Sequence, residues 1–457
     1  MQKRLFLLLF LFASVNCVAT HLRGGQITFK RISLLTYQVN LRVYTDTRSP
    51  VRFSDGLLKF GDGDTIRTPP MNAIQSYDRN VGIVDFSVIH TYPKADNYLI
   101  SYAERNLIRG ILNLTNSVNT RFHMESLLVI NPQISYQPIQ FSVDLILQSK
   151  AKINYSFSTA PTDTVSAIYS FELITPPQTT GYVAPESLKI NQRTGLLTWG
   201  TDFKGSFFLG EYFFAVKVHH FDKSGNFYLG FVVRTFTITN SESASMLSIS
   251  NPISNVDGKI VVLPGAKRAI KLILSNGSVT DSLRWVSFID PTISTNIIFT
   301  QYDSATAGKK TRVGLLSISP SAKMERNFPY TIILRGINFV SRNSEGLIAQ
   351  DVSYSIFTKN VDFPEIPEVP QIPQIVTSVA SEPNDLAIFP NPFSNKLFLN
   401  GIGQGSTLEI LSVFGKTVFS ISISADGSVD TSFLATGVYI AIVRNGSQVS
   451  KLKLIKE

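Results

Sequence analysis

Residues 35–44 read Leu-Thr-Tyr-Gln-Val-Asn-Leu-Arg-Val-Tyr, and every second residue of this stretch is apolar. The alternating apolar residues are Leu35, Tyr37, Val39, Leu41 and Val43. Successive side chains of a strand point to opposite faces, so this period of two predicts a β-strand with one buried face. Aromatic and β-branched residues, which suit a pleated and half-buried surface, are plentiful along the chain, whereas long stretches rich in Ala, Leu, Glu and Lys are hard to find. The sequence therefore predicts an all-β protein.

The size and charge of the chain narrow its class further. Its 457 residues are enough for roughly three to five domains of about 100–150 residues each. With 44% hydrophobic and 16% charged residues, the composition is that of a folded protein. The net charge of +9 is spread among acidic residues without a basic run, which disfavours a nucleic-acid partner and suits solvated strand faces or loose attraction to an anionic cell envelope.

The N-terminus has the layout of a secretory signal peptide. Lys3 and Arg4 precede an apolar stretch over residues 5–13, and small residues stand before Thr20. The apolar stretch is too short to span a membrane, although an uncleaved anchor is the alternative. We therefore predict a signal peptide over residues 1–19, with signal peptidase cleavage between Ala19 and Thr20.

Cys17 is the only cysteine and lies inside the predicted signal peptide. The mature chain is then expected to have no disulfide, no catalytic thiol and no cysteine metal site. Its stability has to come from the cores of its domains.

The first predicted domain covers residues 20–132. It contains Phe-Gly-Asp-Gly-Asp at residues 60–64, His-Thr-Tyr-Pro at residues 90–93 and Asn-Tyr-Leu-Ile-Ser-Tyr at residues 97–102. This combination resembles the PKD-type immunoglobulin-like domain, which implies a tight Gly-Asp-Gly turn and a core strand after His-Thr-Tyr. Asn97 replaces the usual Gly of that family, a mild departure because Asn tolerates left-handed backbone angles. Residues 19–29, 37–47 and 106–122 also resemble N-terminal regions of Bacteroidetes surface and gliding-associated proteins.

A second domain is predicted over residues 133–240. Thr194-Gly195 forms a turn before an apolar strand closed by Trp199, and Gly210-Glu211-Tyr212 opens an alternating strand. The pattern is similar to cadherin-like and related immunoglobulin-like bacterial repeats. It predicts a β-sandwich whose core is filled by a large aromatic side chain.

The next two segments carry less specific signals. Residues 241–360 contain strand-type runs without a motif, and a third β-sandwich is the default prediction. Residues 361–383 contain prolines at every third position from Pro364 to Pro373, which favours a stiff polyproline II linker. We expect this linker to act as a spacer, with a ligand for a proline-reading domain as the alternative.

Residues 384–457 predict six or seven short strands that form a small C-terminal β-sandwich. The prolines of Pro390-Asn391-Pro392 remove two hydrogen-bond donors, Gly415 stands at a hairpin tip, and residues 438–443 are apolar on both faces, as in a central strand. The last strand alternates Leu with Lys, which suits an exposed sheet edge.

This block resembles the type A C-terminal sorting domain of the type IX secretion system. The resemblance rests on the Pro-Asn-Pro opening, the Gly hairpin, the Gly-Val-Tyr strand and the lysine-rich end. It implies export through the periplasm to the cell surface or the extracellular space, with an outer-membrane translocon and a sortase-like peptidase as partners. Cleavage is expected within residues 375–383. The recognition candidates are Pro390, Asn391, Pro392, Gly415, Gly437, Tyr439, Lys451, Lys453 and Lys456.

Candidate chemistry elsewhere is sparse. Asp62 and Asp64, with Asp55 as a third candidate, offer carboxylates to calcium, although the turn needs only its glycines. His219 and His220 point to opposite faces if they lie in a strand, so they cannot share a metal. The other histidines are interpreted as core or surface residues. These histidines are His21, His90 and His123. No other metal or cofactor is expected.

The sequence contains no nucleophile elbow, zinc-protease motif, P-loop or dinucleotide fingerprint. We predict a non-catalytic surface protein, adhesin-like or structural, that binds a surface glycan, lipopolysaccharide or a matrix protein. The alternative is a secreted hydrolase of polymers, because paired carboxylates need not be close in sequence. Residues 241–360 distinguish the two, since a cleft with facing carboxylates there would favour the hydrolase.

Overall fold

The protein is described by a computed structural model that forms two compact units, residues 1–370 and residues 371–457. The first unit is called the body below, and the second is called the terminal domain. No helix within the described residues is long and apolar enough to cross a membrane. The described residues are 22–49, 53–76, 80–105, 107–134, 139–145, 147–150, 155–161, 167–200, 209–241, 247–253, 257–276, 282–306, 309–339, 348–370, 387–389, 393–400, 405–412, 417–423, 427–445 and 448–456.

Strands dominate both units, which confirms the predicted all-β class. Helical structure in the described residues is limited to three short 3-10 turns at Ser117–Asn119, Pro291–Ile293 and Ala322–Met324. The strands of the body are β1 (Leu22–Arg31), β2 (Thr36–Asp46), β3 (Leu57–Lys59), β4 (Thr65–Arg67), β5 (Ile74–Gln75), β6 (Val81–Thr91), β7 (Asn97–Glu104), β8 (Phe122–Val129), β9 (Leu147–Lys150), β10 (Tyr155–Ser158), β11 (Ala167–Ile174), β12 (Leu188–Ile190), β13 (Leu196–Trp199), β14 (Gly210–Asp222), β15 (Tyr228–Ser241), β16 (Leu247–Ser250), β17 (Lys259–Val261), β18 (Arg268–Asn276), β19 (Ser282–Phe288), β20 (Ile297–Thr306), β21 (Lys309–Ile318), β22 (Tyr330–Phe339) and β23 (Ile348–Phe357). The strands of the terminal domain are β24 (Ala387–Phe389), β25 (Lys396–Asn400), β26 (Thr407–Ser412), β27 (Thr417–Ser422), β28 (Ser428–Asp430), β29 (Gly437–Asn445) and β30 (Gln448–Lys456).

The first part of the body follows the alternation that predicted it. Strand β2 buries Tyr37, Val39, Leu41 and Val43 and leaves the residues between them partly exposed. It lies between β1 and β6, and β5 completes this side in the order β1-β2-β6-β5. The strands β4-β3-β7-β8 form the other side, and residues of both sides share one apolar core.

Strand β15 joins the first and second parts of the body. One of its edges pairs along its length with β14, while the other pairs in succession with β8, β1 and β9. Backbones approach closely where it meets β8, since a Cβ on Gly230 would lie 2.0 Å from the Leu127 carbonyl oxygen. Gly24 has the same constraint, because its Cβ would lie 2.2 Å from the Thr235 carbonyl oxygen. The sheet thus runs across the predicted boundary at residue 132, and the exact division into domains stays a prediction.

The second part of the body is a β-sandwich with an aromatic core. Its small sheet has the order β10-β13-β12, and its large sheet contains β11, β14 and β15. Trp199 of β13 is buried between them and meets the rings of Tyr212 and Phe214 edge-on, at centroid distances of 4.9 and 5.6 Å. The preceding turn has Gly195 at φ +66°, where a side chain would also collide with the Phe171 ring.

The third part consists of two four-stranded sheets, β16-β18-β21-β20 and β17-β23-β22-β19. Strand β17 pairs in parallel with β23, and all other pairs in these sheets are antiparallel. Trp285 is buried in the core, where its Nε1 donates a hydrogen bond to the Arg312 carbonyl oxygen at 3.1 Å. A third sandwich is therefore present in the region where the sequence carried no motif.

Buried arginines tie the three parts together. Arg234 donates to Gln26 Oε1 at 2.7 Å and to the carbonyl oxygens of Thr159 and Val143 at 2.9 and 2.8 Å, so it links the first and second parts. Because burial disfavours the charged form, the pKa of Arg234 falls to about 10.

Arg335 and Asp351 form the corresponding link between the second and third parts. Their side chains make a bidentate pair at 2.7 and 2.9 Å, with exposures of 2% and 0%. Arg335 also donates to the Asp144 carbonyl oxygen at 2.8 Å, and Asp351 accepts from the Ser158 backbone N–H at 2.8 Å. The third sandwich is thereby fixed to the second by charge-assisted hydrogen bonds.

The start of the proline-rich segment differs from the expected spacer. Residues 361–370 belong to the body, where Phe363 meets the Phe357 ring edge-on at 5.0 Å and the Pro364 carbonyl accepts from Arg193 Nη1 at 3.0 Å. These contacts are made by Phe363, which precedes the first proline, and by the Pro364 carbonyl, and proline spacing alone does not predict them. Residues 371–383 of the predicted linker lie outside the described residues.

The terminal domain contains two small sheets, ordered β24-β25-β28 and β27-β26-β29-β30. It has an apolar core of its own. The core residues are Phe393, Leu397, Leu399, Leu408, Ile410, Ile423, Val429, Leu434, Ala441, Val443 and Leu454. Strand β29 lies between β26 and β30, as expected from its two apolar faces.

Candidate functional site

The first candidate site is the turn that joins β3 to β4. Gly61 and Gly63 have φ angles of +89° and +108°, which glycine adopts without strain. A side chain on Gly61 would also collide with the backbone of Leu99. The Phe60 N–H donates to the Asp64 carbonyl at 3.0 Å and closes the turn. The glycines therefore hold the two aspartates at a sharp reversal of the chain.

His90 of β6 completes this site. Its Nε2 lies 2.6 Å from Asp62 Oδ2, while Asp62 Oδ1 accepts from the Asp64 backbone N–H at 3.0 Å. The imidazole stacks on Phe60 at a centroid distance of 4.0 Å and meets Tyr92 edge-on at 4.7 Å. The His90 and Asp62 side chains are only 11% and 5% exposed, so their hydrogen bond is well shielded from water.

Ligand atoms of Asp62, Asp64 and His90 all lie within 4.8 Å of one another. Calcium prefers oxygen ligands, whereas an imidazole beside carboxylates suits a transition ion such as zinc. Both oxygens of Asp62 already take part in hydrogen bonds within the protein, however, and these bonds fasten the turn to β6. The geometry therefore supports a structural role for this cluster ahead of a role in metal binding.

The calcium site that the sequence predicted at this turn stays a prediction. That prediction grouped Asp62 with Asp64 but interpreted His90 as isolated, although the Gly-Asp-Gly and His-Thr-Tyr motifs that it had paired contain both partners. Asp55 is not part of the cluster. It lies at the opposite end of the β3–β4 hairpin, where its carboxylate is 3.1 Å from Arg67 Nη1.

His219 and His220 lie on opposite faces of β14. His219 contacts the Tyr228 hydroxyl at 2.9 Å and Glu172 Oε2 at 3.3 Å, and burial lowers its pKa. His220 stacks on Tyr169 at 5.2 Å and is completely buried, which lowers its pKa to about 3. The two imidazoles therefore have separate surroundings and cannot share a metal.

A second charged group joins β1, β2 and β14. Arg23 lies 3.0 Å from Asp46 Oδ2 and 2.9 Å from Glu211 Oε2, and Arg48 lies 2.7 Å from Asp46 Oδ2. Burial alone would raise the pKa of Asp46, but the hydrogen bond from Arg48 and the charge of Arg23 lower it to about 2. These charges hold strands together and are paired with one another.

An apolar depression of about 60 Å³ lies where the proline-rich segment meets the body. Its lining includes Ile168, Phe171, Phe328, Pro329 and Phe363. Pockets that enclose a small-molecule ligand typically measure about 300–1,000 Å³, so this depression is too small for one.

The sorting-domain candidates are only partly described. Gly437 and Lys456 pair in register at the ends of β29 and β30, and the Tyr439 hydroxyl donates to the Ala435 carbonyl oxygen at 2.7 Å. Lys456 Nζ contacts the Ser394 carbonyl oxygen and lies 5.5 Å from the Phe393 ring. Lys451 and Lys453 belong to β30. Ala19, Thr20, Pro390, Asn391, Pro392 and Gly415 lie outside the described residues.

Residues 387–457 match the family described as "Secretion system C-terminal sorting domain". This confirms the resemblance to the type IX sorting domain, and the chain is exported to the cell surface or the extracellular space. No curated protein matches the sequence.

Several solved structures of immunoglobulin-like and cadherin-like proteins are similar to the chain. The cadherin-like domains 1 to 4 of zebrafish RET share 9% identity at a TM-score of 0.20, covering 96% of this chain and 97% of that one. The N-terminal four Ig domains of Dscam1 isoform 6.9 share 11% identity at a TM-score of 0.18, covering 95% and 99%. SGBP-B of Bacteroides ovatus, solved with a mixed-linkage heptasaccharide, shares 10% identity at a TM-score of 0.21, covering 71% and 69%. At these scores the similarities carry no argument about function.

Proposed function

We propose that the chain is a non-catalytic cell-surface protein, adhesin-like or structural, that reaches its place through the type IX secretion system. The observation that carries the proposal is the sorting-domain match over residues 387–457 behind a body of joined β-sandwiches. The route requires an outer-membrane translocon and a sortase-like peptidase, which cleaves within residues 375–383. The ligand class is a surface glycan, lipopolysaccharide or a matrix protein.

The use of charge in the body supports a non-catalytic role. Catalytic acids and bases sit in clefts where they reach a substrate. Here the shielded pairs Arg335–Asp351 and His90–Asp62 connect strands to one another. Asp46, whose pKa is lowered, is likewise held between Arg23 and Arg48. In each case the charged group is used to join parts of the body.

The export half of the proposal is tested by removing residues 384–457 from the full chain in a bacterium that has the type IX system. We expect the truncated protein to remain in the periplasm, whereas the complete chain appears on the surface or in the medium. A reporter that carries residues 371–457 at its C-terminus is the matched gain-of-function arm and is expected to be exported. Unimpaired surface delivery of the truncated protein would show that export does not depend on this domain.

The surface role is tested on the mature full chain purified from the medium. It is offered to a panel of glycans, lipopolysaccharide and matrix proteins, with and without calcium or zinc, and incubated with the same polymers to detect cleavage. We expect saturable binding to one ligand class and intact polymers. Release of oligosaccharides or peptides would instead identify the secreted hydrolase, and binding to none of the panel would contradict the adhesin form of the proposal.

A further inference from the structure

Strand β29 of the terminal domain has an unusual distribution of apolar residues. Residues 438–443 read Val-Tyr-Ile-Ala-Ile-Val, so both faces of the strand are apolar. Tyr439, Ala441 and Val443 pack into the core of the domain. Such two-sided apolar strands normally lie in sheets that are covered on both faces.

The outer face of β29 is open in the described part of the terminal domain. Val438 and Ile440 are 41% and 37% exposed, and Ile455 of β30, which pairs with Val438, is also 37% exposed. Leu411 of β26 pairs with Ile440, and it is half-buried, as is Ile442. Together these residues form one apolar surface across three neighbouring strands, which we call the outer strip. The outer strip consists of Leu411, Val438, Ile440, Ile442 and Ile455.

Exposed apolar side chains are concentrated in the terminal domain. Seven large hydrophobic residues are exposed there, against twelve in the body, although the body has roughly five times as many described residues. Scattered single apolar residues on a surface need no explanation, whereas contiguous ones mark interaction sites. Three of the seven, Val438, Ile440 and Ile455, belong to the outer strip. The other four are Phe398, Val418, Ile421 and Phe433.

Charged residues stand next to the outer strip. The register of β30 sets Lys453 opposite Ile440 and Lys451 opposite Ile442, so both lysine positions lie on the same face of the sheet as the strip. Arg444, beyond one end of the strip, is already paired with Glu409 at 3.6 Å. A partner that covers the strip would therefore gain from an apolar centre with carboxylates at its rim.

We propose that the outer strip is the surface by which the sorting domain docks on a protein of the secretion machinery, one that presents an apolar face bordered by acidic groups. This inference rests on the proposed export function, because the family match is what requires residues 387–457 to meet that machinery. Burial of the strip in the docked state accounts for a two-sided apolar strand in a sheet whose outer face is otherwise open.

The test is a triple variant of the full chain, Val438→Thr, Ile440→Thr and Ile455→Thr, produced in a bacterium that has the type IX system. Threonine keeps the β-branched shape that strands favour while it makes the surface polar. We expect the secreted fraction to fall at least about tenfold and the precursor to accumulate in the periplasm, as for loss of central interface residues.

The matched control places the same chemical change on the body, as Ile74→Thr, Ile89→Thr and Ile298→Thr. These residues are exposed in strands of the body and lie outside the terminal domain. Secretion of the control is expected to stay within about twofold of the parent, because substitutions at exposed sites away from an interface have small effects. Thermal unfolding of the purified precursors is the check on folding, and both variants are expected to unfold cooperatively like the parent.

The outcomes separate the inference from the export function itself. If removal of residues 384–457 blocks secretion but the folded triple variant is secreted like the parent, the docking surface lies elsewhere and only this inference fails. If the truncated chain is also secreted, the export function fails with it. A purified parent chain that is dimeric, with a monomeric triple variant that is secreted normally, would assign the outer strip to a second copy of the chain and overturn the inference.

Discussion

The body and the terminal domain are both built from β-sandwiches, but they distribute charge and apolar surface in opposite ways. The body buries charged side chains such as Arg234, Arg335 and Asp351 at the places where its sandwiches meet. In the described part of the terminal domain Lys456 is the one charged residue that is buried, while β29 leaves apolar side chains exposed. In the body these three charged groups are hydrogen-bonded to other parts of the body, whereas the terminal domain exposes apolar side chains that a partner can cover.

This difference assigns the two units different roles: the body fixes its sandwiches in position, and the terminal domain offers a surface to a partner. Buried, fully hydrogen-bonded charges fix the position of one sandwich relative to the next, because any other arrangement would leave them without partners. The terminal domain has an apolar core of its own. An apolar outer face is then available to a partner.

The largest effect is expected from Arg335→Leu, which leaves the buried Asp351 carboxylate without its cation. We expect it to lower the free energy of unfolding by about 3–5 kcal/mol. Calorimetric unfolding of the full chain measures this, because it records both units, whereas tryptophan fluorescence would follow only the body, where Trp199 and Trp285, the only two tryptophans, both lie. The terminal domain supplies the control Arg444→Leu, whose exposed pair with Glu409 is expected to contribute less than about 1 kcal/mol. If the two variants lowered the free energy of unfolding equally, buried charge would not distinguish the body from the terminal domain.

A close backbone contact gives the next largest effect. Gly230→Ala would place a Cβ 2.0 Å from the Leu127 carbonyl where β15 meets β8, and we expect a loss of about 3 kcal/mol in calorimetry. Gly63→Ala is the matched control, because its φ of +108° is similar to the +112° of Gly230 but its Cβ would meet nothing within 4 Å. The control is expected to cost about 1 kcal/mol. A smaller loss of stability for Gly230→Ala than for Gly63→Ala would argue against the close backbone contact between β15 and β8.

Acid should act on the body more than on the terminal domain, since all five histidines precede residue 371. Burial lowers the pKa of His220 to about 3, so below about pH 6.5 the unfolded chain binds a proton that the folded chain does not. Stability is therefore lost as the pH falls from 6.5 towards 3. Near pH 4.5 this amounts to about 3 kcal/mol.

Hydrogen exchange measured by mass spectrometry at pH 7 and pH 4.5, corrected for intrinsic exchange, follows both units in one sample. Protection around β14 is expected to fall and that of the terminal domain to change less. In His220→Phe, which keeps a ring beside Tyr169, the additional acid sensitivity of the body should disappear. Persistence of the full pH effect in this variant would assign it to other groups.

The smallest effect concerns the turn between β3 and β4. Asp62→Ala removes the acceptor for both His90 and the Asp64 N–H, and we expect a loss of about 1–2 kcal/mol in thermal unfolding. Asp55→Asn, at the open end of the same hairpin, should change stability by less than about 0.5 kcal/mol because its ion pair with Arg67 is exposed. A gain in stability of the parent with added zinc, absent in Asp62→Ala, would reveal a metal function in addition to the structural one.

The candidate site shows how far sequence reasoning reached. The Gly-Asp-Gly turn was predictable because its backbone angles depend on the glycines of that turn alone. The contact between Asp62 and His90 was not, since it joins residues 28 positions apart and depends on where β6 lies in the sheet. Asp55 was wrongly grouped with Asp62 for the same reason. It precedes Asp62 by seven residues, and in the hairpin this separation places the two at opposite ends.

The sequence by itself determined the all-β class, the central position of β29 and the sorting domain, because strand periodicity, turn residues and family motifs are local patterns. Only the tertiary structure decided that β15 pairs with three strands along one edge, that buried arginines join the sandwiches, and that Val438 and Ile440 of β29 are exposed in the described part of the terminal domain. Arg335 and the Asp144 carbonyl, for example, are 191 residues apart. Such contacts follow from the packing of whole sheets, which no short stretch of sequence specifies.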